Sequence, residues 1–228
     1  MASSVIISDQ IEVPLEINSL AKFRRWATSD AFPDQGRIDY VANHIEVDIS
    51  PESLFSHGSL KVEIARVFAN RVKRNDSGHV FSDRTRISCP TAGLSAEPDV
   101  VYLSHQSLDN RRTRLLPKAD GRDGDFVEIE GPPDIVVEIV SDGSVKKDTV
   151  RLPAAYYESG VAEFWLVDAR GKNLLFQIHD RGNAAHEKVA VAATGFQHSN
   201  VFGCQFQLQR TRHTRGHWVY DLLEQDVP

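Results

Sequence analysis

The sequence predicts a mixed α/β (α+β) domain with a strongly antiparallel component. Short segments rich in β-branched and aromatic residues alternate with clusters of turn residues, which is typical of strands. Two segments instead repeat apolar residues at helical spacing. The composition, with 41% hydrophobic and 25% charged residues, is ordinary for a soluble globular protein of 228 residues. We interpret residues 18–228 as one domain and residues 1–17 as an N-terminal arm, because the arm lacks a strong periodicity.

Two helices are predicted in the first third of the chain. Residues 18–26 have a capping residue at Asn18 or Ser19, and residues 60–72 follow Ser59, which we expect to be the N-cap of the second helix. The apolar residues at helical spacing are Leu20, Phe23 and Trp26 in the first segment and Leu60, Ile64, Val67 and Phe68 in the second. Each stripe indicates a helix that buries one face. A further helix-like segment follows the turn at residues 141–143, and Pro153 within it predicts a shifted or tightened start.

The remaining periodic segments predict strands. Residues 38–49 predict an antiparallel hairpin with its tip at Asn43-His44. Further strands are predicted at residues 79–81, 85–88, 97–103, 134–140, 163–167, 173–179, 187–192 and 201–208. Residues 89–96 and 111–124 are predicted to be loops, the second of them flexible, and residues 219–223 a helical or irregular end.

Charge and cysteine content narrow the classes of function. The net charge of −6 disfavours a generally basic surface that coats nucleic acid, although it is compatible with a local basic cleft. Cys89 and Cys204 lie far apart in sequence and outside any Cys/His cluster, so we expect reduced, buried thiols. The N-terminus lacks the pattern of a signal peptide, and no apolar run approaches the ~18 residues of a membrane span. We therefore expect a cytoplasmic protein without a membrane span.

Glu138 lies inside an apolar strand, where a carboxylate is costly unless it is paired, hydrogen-bonded or bound to a metal. Asp134 shares its face of the strand but lies ~13 Å away at ~3.3 Å per residue, too far for both to hold one ion. Asp99 opens another strand and is the better partner. Mg²⁺ prefers oxygen ligands such as carboxylates, and the backbone carbonyl of Ile139 offers a third oxygen.

The residues around these acids resemble a known family. Pro98-Asp99 at a strand start, followed by a strand with Glu138, is similar to the PD-(D/E)XK nuclease-like superfamily. The run PDIVVEIVSDGS, followed by KKD, a tyrosine and SGVAEFWLVD, more specifically resembles the Uma-two family of "putative restriction endonucleases" within that superfamily. The resemblance covers most of the chain and is strongest over residues 132–168.

This resemblance implies a fold, an activity and a cofactor. The implied fold is a restriction-endonuclease-like mixed β-sheet flanked by helices, here with additional antiparallel hairpins. The implied activity is that of an endonuclease, a hydrolase that cleaves the phosphodiester bonds of DNA with Mg²⁺ or Mn²⁺. The implied metal ligands are Asp99, Glu138 and the carbonyl of Ile139. DNA is the implied partner, and a homodimer would suit cleavage of two strands.

The chain departs from this pattern at the catalytic lysine. The superfamily lysine, at the second position after Glu138, is Val140 here, and the lysine that the family carries on the following helix corresponds to Leu152. The cations that could replace it are Lys146, Lys147 and Arg151. Asp148 matches the acid that the family has before this helix, and helix N-capping is its alternative role.

Several of these residues also have a purely structural interpretation. Glu138 would alternatively form a buried ion pair with an arginine, and Asp99 would serve turn chemistry. Asp134 would close the loop that precedes its strand. His57 either reaches the cleft or makes a local hydrogen bond, and Glu63 is either an accessory site residue or a solvated helical acid. Tyr156 is predicted in the core, whereas a basic segment near the C-terminus either contacts phosphates or forms a solvated edge; its residues are Arg210, Arg212, His213, Arg215 and His217.

Two functions of other classes compete with the enzyme. The first is a catalytically degenerate nuclease fold that binds nucleic acid, with steep salt dependence and no cleavage in any metal. The second is an oligomerisation module, in which the carboxylates of Asp99 and Glu138 lie too far apart to share an ion.

Overall fold

The computed structural model describes residues 4–8, 11–118 and 122–227 of the chain. Within these ranges the chain forms four α-helices and four β-sheets. The helices are α1 (Leu20–Ala27), α2 (Leu60–Asn75), α3 (His105–Asp109) and α4 (Leu152–Ser159). The strands are β1 (Ser4–Ser8), β2 (Ile11–Pro14), β3 (Arg37–Val41), β4 (His44–Asp48), β5 (Gly78–Ser82), β6 (Arg86–Cys89), β7 (Leu94–Ala96), β8 (Val100–Ser104), β9 (Arg114–Pro117), β10 (Phe126–Glu130), β11 (Ile135–Ile139), β12 (Glu163–Asp168), β13 (Leu175–Arg181), β14 (His186–Lys188), β15 (Gln197–Ser199), β16 (Cys204–Arg212) and β17 (Trp218–Asp226). No helix in the described ranges is long and apolar enough to cross a membrane.

The central sheet has the strand order β14-β13-β12-β11-β8-β5. Strands β11 and β12 are parallel, in the register Ile135 to Glu163, and the other neighbours are antiparallel. Residues of β11 alternate between two hydrophobic clusters, one shared with α2 and the other with α4. The central sheet is therefore covered by a helix on each face, and the predicted fold class, a mixed sheet flanked by helices with additional hairpins, is confirmed.

A second six-stranded sheet, in the order β4-β3-β7-β6-β10-β9, packs on the α4 side of the central sheet. Its β6 and β10 are parallel, and the other strand pairs are antiparallel. Ile11 and Val13 of the N-terminal arm are buried against Phe23, Trp26 and Tyr40 of this region. The described part of the arm thus contributes to a hydrophobic cluster with α1 and β3. Residues 1–3, 9 and 10 lie outside the described residues.

The end of the chain differs from the prediction. Residues 219–223, predicted as helical or irregular, belong to β17, which pairs with β16 from Cys204–Asp226 to Arg212–Trp218. Tyr220 and Leu222 point into the core cluster. The prediction was wrong because β16 extends beyond residue 208 into polar residues, and this extension provides the long-range partner that a local pattern does not show.

Smaller corrections concern capping and loops. Ser59 lies at the N-cap position of α2 but makes no side-chain capping hydrogen bond. A π-helical turn (Leu54–Ser59) precedes α2, and there Ser53 accepts the capping hydrogen bond from the amide of Ser56. Residues 89–96 contain a 3₁₀ turn and β7, and residues 111–124 contain β9. Residues 119–121 of this second predicted loop lie outside the described residues.

Candidate active site

Asp99 and Glu138 lie at the ends of two neighbouring antiparallel strands, β8 and β11. The pairing runs from Ile135–Tyr102 to Val137–Val100, so its continuation by one residue sets Asp99 opposite Glu138. The amide of Ile139 donates a 2.7 Å hydrogen bond to Asp99 Oδ2. Both carboxylates are fully buried. The sheet register therefore brings the two predicted acids together on the face that α4 covers.

Three cationic side chains surround the Asp99 carboxylate. Arg37 Nη2 lies 2.7 Å from Oδ1, Lys61 Nζ lies 3.4 Å from Oδ1, and His57 Nε2 lies 3.5 Å from Oδ2. Burial alone would raise the pKa of Asp99, but the three cations outweigh it and hold the pKa well below its usual range. Asp99 is consequently a carboxylate at any ordinary pH.

Glu138 has the opposite electrostatic environment. Its Oε1 accepts a hydrogen bond from the Tyr156 hydroxyl, whereas its buried Oε2 has no hydrogen-bond partner among the described residues. Burial is the main cause that raises the pKa of Glu138, and repulsion from Asp148 and Asp99 raises it further. The charge of Arg37 opposes this increase only in part. The positive charge near Glu138 is therefore insufficient to compensate its burial and the repulsion.

Asp148 shares this deficiency. It lies in a second π-helical turn (Lys147–Arg151) that leads into α4, and it is fully buried. Its Oδ2 accepts a hydrogen bond from the Ser144 hydroxyl, and its Oδ1 has no partner in the described part of the chain. Burial raises the pKa of Asp148 to about 6. Asp148 therefore does not cap α4; it presents a second unpaired carboxylate oxygen to the site.

Lys147 is the predicted lysine substitute that reaches the site. Its Nζ lies 2.9 Å from Asp39 Oδ2, and both side chains are buried. Burial works against its charge, but Asp39, Glu138 and Asp148 together raise the pKa of Lys147 above its usual value. Lys146 is exposed, and Arg151 forms two 2.6 Å hydrogen bonds with Glu46. The structure thus brings Lys147 to the acids but leaves the other two candidates outside.

His57 connects the buried acids to a cleft. It lies in the Leu54–Ser59 turn, with Nδ1 3.1 Å from Glu52 Oε2 in an ion pair without a hydrogen bond. Burial opposes its charge, yet Asp99 and Glu52 raise the pKa of His57 to about 9, and His57 lowers the pKa of Glu52 to about 2. Donor atoms of Glu52, His57 and Asp99 all lie within 4.8 Å of one another, a spacing that suits a metal ion. The cleft above them has a volume of about 620 Å³ and is lined in part by Arg37, Glu52, His57 and Ser141.

Two predicted accessory acids lie elsewhere. Glu63 accepts a 3.0 Å hydrogen bond from the amide of Leu222 and so holds β17 against α2. Asp134, at the far end of β11, accepts hydrogen bonds from the amide of Ser104 at 2.7 Å and from Arg112 at 2.6 Å. Both contacts are structural, and neither residue is brought to Asp99 and Glu138.

Sequence reasoning missed several polar residues of the site, namely Arg37, Asp39, Glu52, Lys61, Ser144 and Tyr156. Asp39 carried a usable signal, because it stands in the apolar strand RIDYV as Glu138 stands in IVVEI. A buried acid in a strand predicts a cationic partner. For Tyr156 no such signal existed, since an aromatic residue in a helix is most simply a core residue.

The residues present fit a divalent cation. Two buried carboxylate oxygens without partners, on Glu138 and Asp148, coincide with raised pKa values, as expected where a positive charge is missing. Hard oxygen ligands of this kind are those that Mg²⁺ prefers. Asp99 differs, because its oxygens are already engaged by Arg37 and by the amide of Ile139.

Comparison with known proteins identifies a family and a fold. The model of the Uma2 family, described as "Putative restriction endonuclease", matches residues 20–211. A solved structure described as a "putative nuclease belonging to DUF820", from Anabaena variabilis, aligns with a TM-score of 0.52 and 16% sequence identity. The alignment covers 81% of this chain and 97% of that chain, a likeness that shows the fold. None of the curated proteins matches this sequence.

Proposed function

The chain belongs to the Uma2 family, described as "Putative restriction endonuclease", and we propose that it is a metal-dependent endonuclease that hydrolyses phosphodiester bonds of DNA. The observation that carries the proposal is the pair of unpaired, buried carboxylate oxygens on Glu138 and Asp148 beside Asp99. Two buried carboxylates without partners raise the free energy of the folded protein when no metal is bound. A function that needs a bound cation explains why the chain carries them.

The proposed ligands of the cation, Mg²⁺ or Mn²⁺, are Asp99 and Glu138, with the carbonyl of Ile139 as a further oxygen. Among the described residues, only Glu52, His57 and Asp99 have three ligand atoms within 4.8 Å of one another, so Asp148 is proposed as an acid near the cation and not as a third ligand. When bound, such an ion supplies an activated water and neutralises charge on the phosphate. Tyr156 holds one oxygen of Glu138 through its hydroxyl and leaves the other without a hydrogen-bond partner among the described residues. Asp99 is fixed by the amide of Ile139, so the two strands set the distance between the acids.

The cations of the site would act on the phosphate. Lys147 and Arg37 have raised pKa values and remain protonated, so neither is a general base. Their charges are suited to stabilising the negative charge that develops on the phosphate in the transition state. Lys147 thereby takes the part of the superfamily lysine from a different position in the chain. His57, protonated at neutral pH, is suited to donate a proton or a hydrogen bond at the floor of the cleft.

The test compares Glu138→Gln with Glu163→Gln. Glu163 is equally buried, but its carboxylate faces Ser199 and Trp165 on the opposite side of the central sheet. With purified protein and Mn²⁺, on plasmid DNA and on a single-stranded oligonucleotide, we expect Glu138→Gln to lower the cleavage rate by about 100-fold or more. Glu163→Gln should retain it. Metal-dependent cleavage that is unchanged in Glu138→Gln would refute the proposal.

A second candidate function is a catalytically degenerate nuclease fold that binds nucleic acid or mediates oligomerisation. Val140 and Leu152, the two positions where a lysine is expected, are both buried among apolar side chains, and this observation favours the alternative. It predicts salt-sensitive DNA binding without cleavage in Mg²⁺, Mn²⁺ or Ca²⁺. A homodimer and a cytoplasmic location stay predictions from the sequence.

A further inference from the structure

The hairpin between β16 and β17 ends in a surface that the proposed catalytic site does not use. We call it the basic tip and define it by Arg210, Arg212, His213, Arg215, His217 and Trp218. Residues 211–216 are exposed, and Gly216 has a φ of +87°, which allows the turn to reverse tightly. Trp218 packs against the core cluster and Arg210 binds backbone carbonyls, whereas Arg212, His213 and Arg215 are exposed and do not contribute to the core.

The charge at the basic tip differs from that of the chain as a whole. The chain has a net charge of −6, yet no Asp or Glu occurs from residue 188 to residue 220. Arg212 and Arg215 have no salt bridge with an acid of the described residues, whereas Arg66 and Arg74 on α2 are paired with Glu63 and Glu224. The arginines of the tip are therefore available to an anionic partner.

Three rings form a continuous stack on this surface. The Phe55 and His217 rings lie 4.8 Å apart with an interplanar angle of 15°, and the His217 and His213 rings lie 4.6 Å apart at 17°. His213 is the exposed end of the stack. A flat ring with a solvent-facing side offers a platform for a further ring, such as an unpaired nucleic acid base.

Two arginines lie over the ring of Trp218, the residue that follows His217. The guanidinium carbons of Arg210 and Arg212 lie 4.2 and 4.8 Å from the centre of the Trp218 ring. Arg210 is fixed by hydrogen bonds to the carbonyl of Lys172 at 2.6 Å and of Ala169 at 3.0 Å. Arg212 has no such anchor among the described contacts and is exposed, so its charge faces solvent beside the ring stack.

The stack begins at the cleft. Phe55 lies in the same π-helical turn as His57, two residues before it, and His57 contacts Asp99. β17 packs against this turn, which fixes the orientation of the tip relative to the buried acids. A nucleic acid strand that is bound at the tip would therefore extend towards the cleft that contains His57 and Glu52.

We propose that the basic tip binds single-stranded nucleic acid, with a base stacked on His213 and phosphates at Arg212 and Arg215. The proposal rests on the proposed function in that it assigns the tip to the substrate of the same site. Stacked rings with intervening cations match the recognition of unpaired strands, because every base has a π-face and every nucleotide a phosphate. In duplex DNA the bases are already stacked on one another and offer no face to His213.

The test measures binding of a fluorescent dT20 oligonucleotide to the full chain by anisotropy, in EDTA so that no cleavage occurs. We expect Arg212→Gln/Arg215→Gln to weaken binding about ten-fold and to reduce the slope of log K against log salt by about 1.4, since each phosphate contact contributes about 0.7 for single strands. His213→Ala should weaken binding about five-fold or more at unchanged salt slope. Arg66→Gln/Arg74→Gln removes the same charge from α2 and should bind as the wild type does.

Other outcomes would overturn the proposal. Equal losses in the tip variant and in the α2 variant would show an effect of net charge alone. A duplex of the same length that binds as tightly as dT20, or a His213→Ala variant that binds normally, would exclude stacking on an unpaired base. Because the assay needs no catalysis, failure of cleavage by the wild type would leave this result intact, and loss of tip binding would leave the Glu138→Gln test intact.

Discussion

The ammonium group of Lys147 lies 2.9 Å from Asp39 Oδ2, in an ion pair between two buried side chains that are 108 positions apart in the sequence. The contact joins the turn before α4 to β3 of the second sheet. Burial opposes the charge of Lys147, but Asp39, Glu138 and Asp148 raise its pKa, so Lys147 stays protonated in the neighbourhood of these acids. In the proposed site, this charge takes the place of the missing superfamily lysine from a position outside β11.

The first prediction concerns this lysine. Lys147→Met should lower the cleavage rate by about 100-fold, because a group that stabilises transition-state charge is lost. It also leaves Asp39 buried without its cation, at a cost of about 3–5 kcal/mol in the free energy of unfolding. Adding Asp39→Asn should restore the stability but not the rate. Lys146→Met, at the exposed neighbour, is the matched control, and rates and thermal unfolding are measured for all four proteins. A double variant that regains full activity would assign Lys147 a purely structural role.

The second prediction restores a lysine directly after β11. Val140 is buried in the same cluster as Val136, on the sheet face that carries Glu138, at the superfamily position. In the Lys147→Met background, Val140→Lys should recover activity about ten-fold, because Glu138 and Asp148 offer the new ammonium group two partially unpaired carboxylates. Val140→Met controls for side-chain volume and should give no recovery. If Val140→Lys recovers no more activity than Val140→Met, a lysine at position 140 does not replace Lys147.

The fold and the two central acids could be predicted because they depend on local patterns. The apolar residues around Glu138 and after Asp99 predict two strands, and the family resemblance implies that these strands are neighbours in the sheet. The partners of these acids could not be predicted, because they arrive from distant segments: Arg37 and Lys61 contact Asp99 across 62 and 38 positions of the sequence. Of the three suggested cations, only Lys147 has a buried side chain, whereas Lys146 and Arg151 are exposed. A local pattern does not show this difference.

The third prediction concerns metal removal. In EDTA, Glu138→Gln should unfold at the same Tm as the wild type or higher, because a buried carboxylate repelled by Asp148 and Asp99 becomes neutral. At ten times Kd, Mn²⁺ should stabilise the wild type by about 1.4 kcal/mol, which raises Tm by roughly 2–4 °C per kcal/mol. The variant should show no such shift, whereas Glu163→Gln should keep it. The measurement is thermal unfolding with and without Mn²⁺, and an equal shift in Glu138→Gln would exclude Glu138 as a ligand.

The fourth prediction concerns Glu163, a buried acid outside the proposed site. Its carboxylate accepts hydrogen bonds from the amide of Val201 at 2.7 Å, from Trp165 Nε1 at 2.9 Å and from the Ser199 hydroxyl at 2.8 Å. Among the described residues no Lys or Arg forms a salt bridge with it. Burial outweighs the hydrogen bonds and raises the pKa of Glu163 from 4.5 to about 7.

The sign of the pH dependence follows from this raised pKa. Between pH 4.5 and 7 the folded protein holds the proton of Glu163 and the unfolded chain has lost it, so this residue's contribution to stability falls as the pH rises through that window. The loss amounts to about 3 kcal/mol at 1.36 kcal/mol per unit of pKa. Glutamine does not titrate, so the stability of the wild type minus that of Glu163→Gln should decrease by about this amount from pH 4.5 to 7.5. Urea unfolding of both proteins at several pH values measures this difference and cancels the groups that they share. A difference that is independent of pH would mean that Glu163 is ionised in the folded protein and that its three donors fully compensate its burial.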